Sequence, residues 1–204
     1  TEMETQFPGA IRPKQLHALA LARRGEDGDL GDAQTILGQL YASNERDPET
    51  LGIYGRTWMD RYADSGDPRH LRRSRDLYVE AFEGARDDYY TGINAAAKSV
   101  LLGDPNELEA ASDYARRVQE IVGTEPTPGD YWATATVGEV FLIQGDYTNA
   151  GRLYEAAVAM TPESVDSHAS TWTQALRLMA KLQPGAYDRA LVREAFEHLP
   201  DGDD

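Results

Sequence analysis

Apolar residues recur at helical spacing in successive stretches along the chain, separated by short polar breaks that share a composition. A Gly-Asp pair stands at Gly28-Asp29, Gly66-Asp67, Gly103-Asp104 and Gly145-Asp146, and a fifth break follows at Gly185-Ala186-Tyr187. The intervals are 38, 37, 42 and 40 residues. Glycine supplies the left-handed residue that ends a helix, and aspartate caps the start of the next. Each break therefore predicts the turn of a helix–turn–helix unit. Pro68 and Pro105 follow the aspartate directly, where proline suits the first helical turn. The pattern predicts an all-α chain of about ten helices in five antiparallel hairpins.

The clearest unit runs from Tyr131 to Ser164, 34 residues, the length of a tetratricopeptide repeat. Val137-Gly138, Phe141, Ala150, Tyr154, Ala157 and Pro162 fall at that motif's characteristic positions, with Gln144-Gly145-Asp146-Tyr147 as the inter-helix turn. Thr134 stands where the motif has tryptophan, and Trp132 lies two residues earlier. More degenerate units are expected at about 14–46, 47–86, 89–123 and 165–199. In the second of these, Tyr54-Gly55, Tyr78 and Ala81 repeat the pattern with a first helix about seven residues longer than standard. The expected architecture is one domain over 1–204, a right-handed tetratricopeptide-like α-solenoid with Thr124 to Gly129 as its best loop and a tail from Leu199 to Asp204.

The segment Asp88-Tyr89-Tyr90-Thr91-Gly92-Ile93-Asn94-Ala95-Ala96 is unusual for a standard repeat. It resembles the signature of the TRAFs-binding domain from the central region of the apoptosis signal-regulating kinases, a domain shared with bacterial tetratricopeptide-containing proteins. Asp47 to Arg56 and Gly129 to Ala135 are similar to further segments of that family, so the resemblance covers roughly Asp47 to Leu182. It implies a regulatory or adaptor module of a signalling or conflict-response system. Kinase motifs are absent from these residues.

Composition narrows the partners. The 35 acidic and 20 basic side chains give a net charge of −15, which disfavours nucleic acid and anionic membranes. With no cysteine, the chain has no disulfide, thiolate nucleophile or Cys-held metal. No apolar run approaches the roughly 18 residues of a spanning helix. Thr1 to Pro8 lacks the basic and apolar regions of a secretory leader, so the expected location is cytoplasmic.

Candidate chemistry is sparse. His17, His70, His168 and His198 show no metal-binding spacing, and Ser167-His168 adjacency does not make a triad. Glu26 to Asp32 resembles a calcium loop but lacks its glycine and glutamate at the required positions. No catalytic residue, cofactor or metal site is therefore expected, and the chain is read as a non-enzyme.

Binding residues are expected instead. In stacked hairpins the first helices line a concave face, which nominates Arg56 and Met59, then Tyr90, Ile93, Asn94, Ala97 and Val100, then Trp132, Ala135, Thr136, Glu139 and Leu142. Among these Arg56, Tyr90, Asn94, Trp132 and Glu139 are the partner-binding candidates. Asn94 carries an amide able to pair with both groups of a peptide backbone. The competing reading places Tyr90 and Trp132 in the core between repeats. Arg69, Arg72, Arg73 and Arg75 form the one basic cluster, either a solvated face paired with nearby acids or a contact for an acidic partner. The partner is expected to be a protein or peptide. Self-assembly is the alternative, through apolar surface on the last hairpin at Phe196 and Leu199, and a peptide or small-ligand sensor is a third reading.

Overall fold

Aspartates and glycines set the helix ends. Asp47, Asp67, Asp104, Asp130 and Asp146 each precede a helix and accept a backbone N–H of its first turn, at 2.9–3.2 Å. Pro48, Pro68 and Pro105 stand just after three of these caps. Gly66 and Gly145 close the preceding helices at φ of 66° and 80°, a left-handed conformation that a side chain would strain.

The computed structural model describes residues 10–199, and among them ten α-helices and no strand occur. The helices are α1 (Ile11–Arg24), α2 (Asp29–Ala42), α3 (Pro48–Ser65), α4 (Pro68–Gly84), α5 (Tyr89–Leu102), α6 (Pro105–Val122), α7 (Tyr131–Gln144), α8 (Tyr147–Met160), α9 (Val165–Leu182) and α10 (Ala186–Glu194). Thr124 to Gly129 is irregular. The segment Thr1 to Pro8 and the tail beyond Leu199 lie outside the described residues.

The chain forms two compact units, Thr1–Thr91 and Gly92–Asp204, divided within α5. In the first, α1 packs on α2 and α3, α2 on α3, and α3 on α4. Its core joins Ala18, Leu37, Leu51, Tyr54, Leu77 and Ala81. In the second, α7 packs on α6, α8 and α9, and α8 on α10. Val100, Leu142, Tyr154, Trp172, Leu178 and Phe196 belong to its core. Burying a side chain of this size contributes about 1.5–3 kcal/mol.

Both units use the same device to bring two helices of a hairpin together. A side chain at Gly55 would meet the Tyr78 ring at 2.8 Å, and one at Gly138 would meet the Tyr154 ring at 3.0 Å. Glycine on the first helix thus receives a fully buried tyrosine from the second. The two pairs are 23 and 16 residues apart in sequence. Four of those seven residues lie in the longer α3, 18 residues against 14 for α7, so this first helix exceeds the other by four residues rather than the seven expected. The remaining three precede Tyr78 in α4.

Two expectations are corrected. Asp29 does not cap α2: Gly28 holds the cap position, and Asp29 is the first helical residue. Its carboxylate is drawn into a two-pronged pair with Arg24, at 2.8 and 2.6 Å, and accepts the Glu26 N–H at 3.0 Å. Those bonds hold its carboxyl below the ordinary range, with the Arg24 hydrogen bond as the main cause. Phe196 and Leu199 do not offer apolar surface. They are 0% and 5% exposed, because the turn after α10 folds Phe196 onto Trp172 and Tyr154. Arg193 fastens that turn by donating to the carbonyls of Phe196 and Leu199.

Candidate functional site

In the second unit the first helices of three successive hairpins, α5, α7 and α9, carry interacting polar side chains, and α7 also carries an exposed indole. Helix α7 shows why. Nine of its fourteen residues are buried, and only Trp132 and the terminal Gln144 are exposed. Glu139 is half-buried. It lies seven residues, two turns, beyond Trp132 and so on the same side of the helix.

Trp132 is 53% exposed, and its ring stands perpendicular to that of Tyr131 at 5.0 Å. Tyr131 is itself fixed, its hydroxyl 2.7 Å from Thr171 Oγ1 and 3.2 Å from the Ser167 carbonyl on α9. The indole is therefore an exposed aromatic surface on a rigid support. Further along the face, Gln174 Nε2 of α9 donates to Glu139 Oε1 at 3.0 Å. On α5, Lys98 Nζ donates to Asn94 Oδ1 at 2.8 Å. Burial pushes the Glu139 carboxyl up, while the Gln174 hydrogen bond and the Lys98 charge pull it back. Residues from three hairpins thus act on one carboxylate or its neighbours.

Asn94, Trp132 and Glu139, nominated from the sequence, are accessible to different degrees: Trp132 is exposed, Asn94 and Glu139 half-buried. Trp132 is surface rather than inter-repeat core. The amide of Asn94 is already half engaged by Lys98, which narrows the backbone-pairing role expected of it. Ile93, Ala97, Val100, Ala135, Thr136 and Leu142, expected on the same face, are 0–8% exposed and belong to the interior. Met59 of the first unit is 6% exposed. Lys98 and Gln174 were not nominated from the sequence: a lone lysine within the largely apolar run Ile93 to Leu102 is the signal that could have drawn attention to the first, and Gln174 had none.

Arg56 and Tyr90 belong to the first unit. Tyr90 is 48% exposed, its ring edge-on to Tyr78 at 6.2 Å and against Gly52, so it too is surface rather than core. Burial raises the Tyr78 phenol well above its ordinary value, and the hydrogen bond with Tyr90 adds to this. Arg56 Nε lies 4.0 Å from Asp60 Oδ2 one turn on.

The four clustered arginines of α4 have separate local engagements. Arg69 clasps Asp67 of its own helix cap, at 2.6–3.1 Å, and holds the Asp67 carboxyl down at about 2. Arg73 lies over the Tyr41 ring at 5.0 Å and the Tyr54 ring at 5.8 Å. Arg75 pairs with Asp76 at 3.3 Å, and Arg72 is exposed.

A cleft of about 530 Å³ beside the α1–α2 turn is lined by Glu26, Asp27, Asp60, Asp64 and Arg61. His168 Nδ1 and His198 Nε2 are 2.9 Å apart, a pairing across 30 residues that spacing does not reveal. No cluster of three or more potential metal ligands occurs among the described residues, and none of their helices is long and apolar enough to cross a membrane.

Comparison with known proteins agrees with the helical architecture. Residues 3–102 match a family model described as Tetratricopeptide Repeats-Sensor. No curated protein matches this chain in sequence. Among solved structures, a thermophilic TPR protein of Thermus thermophilus is similar at a TM-score of 0.58 and 15% identity, over 85% of each chain. A crystal structure of MamA protein has a TM-score of 0.46 and 15% identity, over 92% of this chain and 94% of its own. The serial hairpins, the glycine–tyrosine packing within them and the similarity to the Thermus structure establish the fold of this chain as that of a tetratricopeptide-type α-solenoid.

Proposed function

We propose that this chain is a non-catalytic protein-interaction module whose second unit docks a partner on the α5–α7–α9 face. The observation that carries this reading is Trp132. A large aromatic held half-exposed on a helix otherwise buried on most sides, on the same side of α7 as half-buried Glu139, has the makeup of an interface anchor. The tetratricopeptide fold supports a scaffold role in general terms. The match of residues 3–102 to a family described as a sensor supports the narrower proposal of a regulatory or sensing part of a signalling or conflict-response system. The resemblance of Asp88 to Ala96 to the TRAFs-binding domain points the same way, and a cytoplasmic setting belongs to this proposal. Arg56 and Tyr90 are exposed on the first unit.

A quantitative pull-down tests the reading. Proteins retained by the wild-type chain should be lost from an Asn94→Ala, Trp132→Ala double variant that still shows wild-type helicity by circular dichroism. Equal retention by both baits would remove the face as the docking site.

A further inference from the structure

We infer that the α5–α7–α9 face of the second unit takes a basic segment, an extended peptide carrying arginine or lysine side chains. This rests on the reading of that face as the docking surface and adds the chemistry of the occupant.

Charge is the first argument. Residues 92–204 hold 18 acidic and 8 basic side chains, a balance of −10, against 17 and 12 in residues 1–91. Several of the unit's cations are engaged within it. Arg116 bonds Asp113 and Glu120, Arg152 bonds Glu125, and Arg193 lies over Trp172 while donating to two carbonyls. The field met by an approaching partner is thus negative, which selects and accelerates basic ones.

The residues on the face agree. Lys98 is 4% exposed and bonds Asn94 while its charge also acts on Glu139, so the charged group within a ligand's reach is the half-buried Glu139 carboxylate. One Glu139 oxygen accepts from Gln174, a neutral donor, and the Lys98 charge offsets only part of the burial of the carboxyl. A guanidinium or ammonium group would offset the remaining desolvation of this carboxylate. On the same side of α7 the Trp132 indole, fixed by Tyr131, presents a π surface to which a cation is attracted. An acidic segment would meet like charge at Glu139 and gain nothing from the indole.

The test uses fluorescein-labelled nonapeptides of alternating Arg-Ala, Ser-Ala and Glu-Ala, titrated by anisotropy with the full chain at low salt. The Arg-Ala peptide is expected to bind at least tenfold more tightly than Ser-Ala. Glu139→Gln and Trp132→Ala should each weaken it at least fivefold. Glu155→Gln, an exposed acid on α8 away from the face, should change it less than twofold. Trp132→Ala removes a half-exposed ring, so it keeps the test decisive should Glu139→Gln fold poorly. Equal weakening by Glu155→Gln would reduce the effect to diffuse charge and overturn the inference. Trp132-dependent binding of Ser-Ala or Glu-Ala in preference to Arg-Ala would overturn the basic occupant while leaving the docking face standing. Trp132-dependent self-association, seen by light scattering, would replace the peptide with a second copy. Loss of all Trp132-dependent binding would remove the face itself.

Discussion

Gln174 of α9 donates to Glu139 of α7, so the amide of one hairpin satisfies the half-buried carboxylate of the one before it. The bond ties neighbouring repeats through the candidate docking face rather than behind it. Gln174→Ala leaves that oxygen without its donor, and a partly buried unsatisfied acceptor costs about 1–3 kcal/mol. Urea denaturation should show a lower midpoint of that order. The Glu139 carboxyl, followed by NMR, should titrate higher than in the wild type, because the hydrogen bond that lowers it is gone.

Two glycine substitutions should have opposite signs. A side chain at Gly151 of α8 would run into the Leu191 carbonyl of α10, whereas one at Gly31 of α2 would approach only the Arg61 guanidinium, at 3.9 Å. Replacing a helical glycine by alanine gains up to about 1 kcal/mol where space allows. Overpacking against backbone costs about 1–3 kcal/mol. Thermal denaturation should therefore show Gly31→Ala at or above wild type and Gly151→Ala below it.

Asp47 has two structural duties. It caps α3 through the Thr50 N–H at 3.1 Å and receives Gln15 Nε2 of α1 at 3.1 Å, while Gln15 also donates to Thr50 Oγ1 at 2.8 Å. Gln15 is 4% exposed. Asp47→Ala removes a cap worth about 1 kcal/mol and deprives a buried amide of one acceptor, so the expected loss is roughly 2 kcal/mol. Gln15→Ala, which spares the cap, should lose less; denaturant midpoints of the two variants check the order.

The His168–His198 pair makes the second unit sensitive to acid. Burial, and then the neighbouring His198, hold the His168 imidazole below its ordinary value. As the pH falls through about 6.5, the unfolded chain takes up a proton that folded His168 refuses. Stability conferred by this residue is complete above that pH. It then declines by up to about 1.4 kcal/mol per pH unit until the lowered folded value is reached. Replacing His198 by Ala should shift the onset of titration of His168 upward, since a repelling neighbour is gone. NMR of the imidazole protons between pH 7.5 and 5 measures this.

What could be read from the sequence follows from how local each interaction is. Helix caps and left-handed glycines act within one turn, so the breaks at Gly66-Asp67, Gly103-Asp104 and Gly145-Asp146 were legible. The all-α fold followed from the helical patterns between them. Gly28-Asp29 differed because Arg24, five residues back, competes for the carboxylate. The partners of the candidate face were hidden for the same reason on a larger scale. Lys98, Glu139 and Gln174 lie on three different hairpins, and no spacing announces that they act on one another. Phe196 and Leu199 looked like terminal surface because no repeat pattern follows the short last helix in the sequence. The turn after α10 instead folds back onto Trp172.

The most direct test of the docking face is site-specific photo-crosslinking. A p-benzoylphenylalanine is placed at Trp132 and, in a second protein, at Glu155 on the exposed side of α8. On irradiation in extract of the source cells, the probe at 132 should capture a discrete partner, and the probe at 155 should not. Capture of the same partner at both positions, or at 155 alone, would contradict the assignment of partner binding to the α5–α7–α9 face.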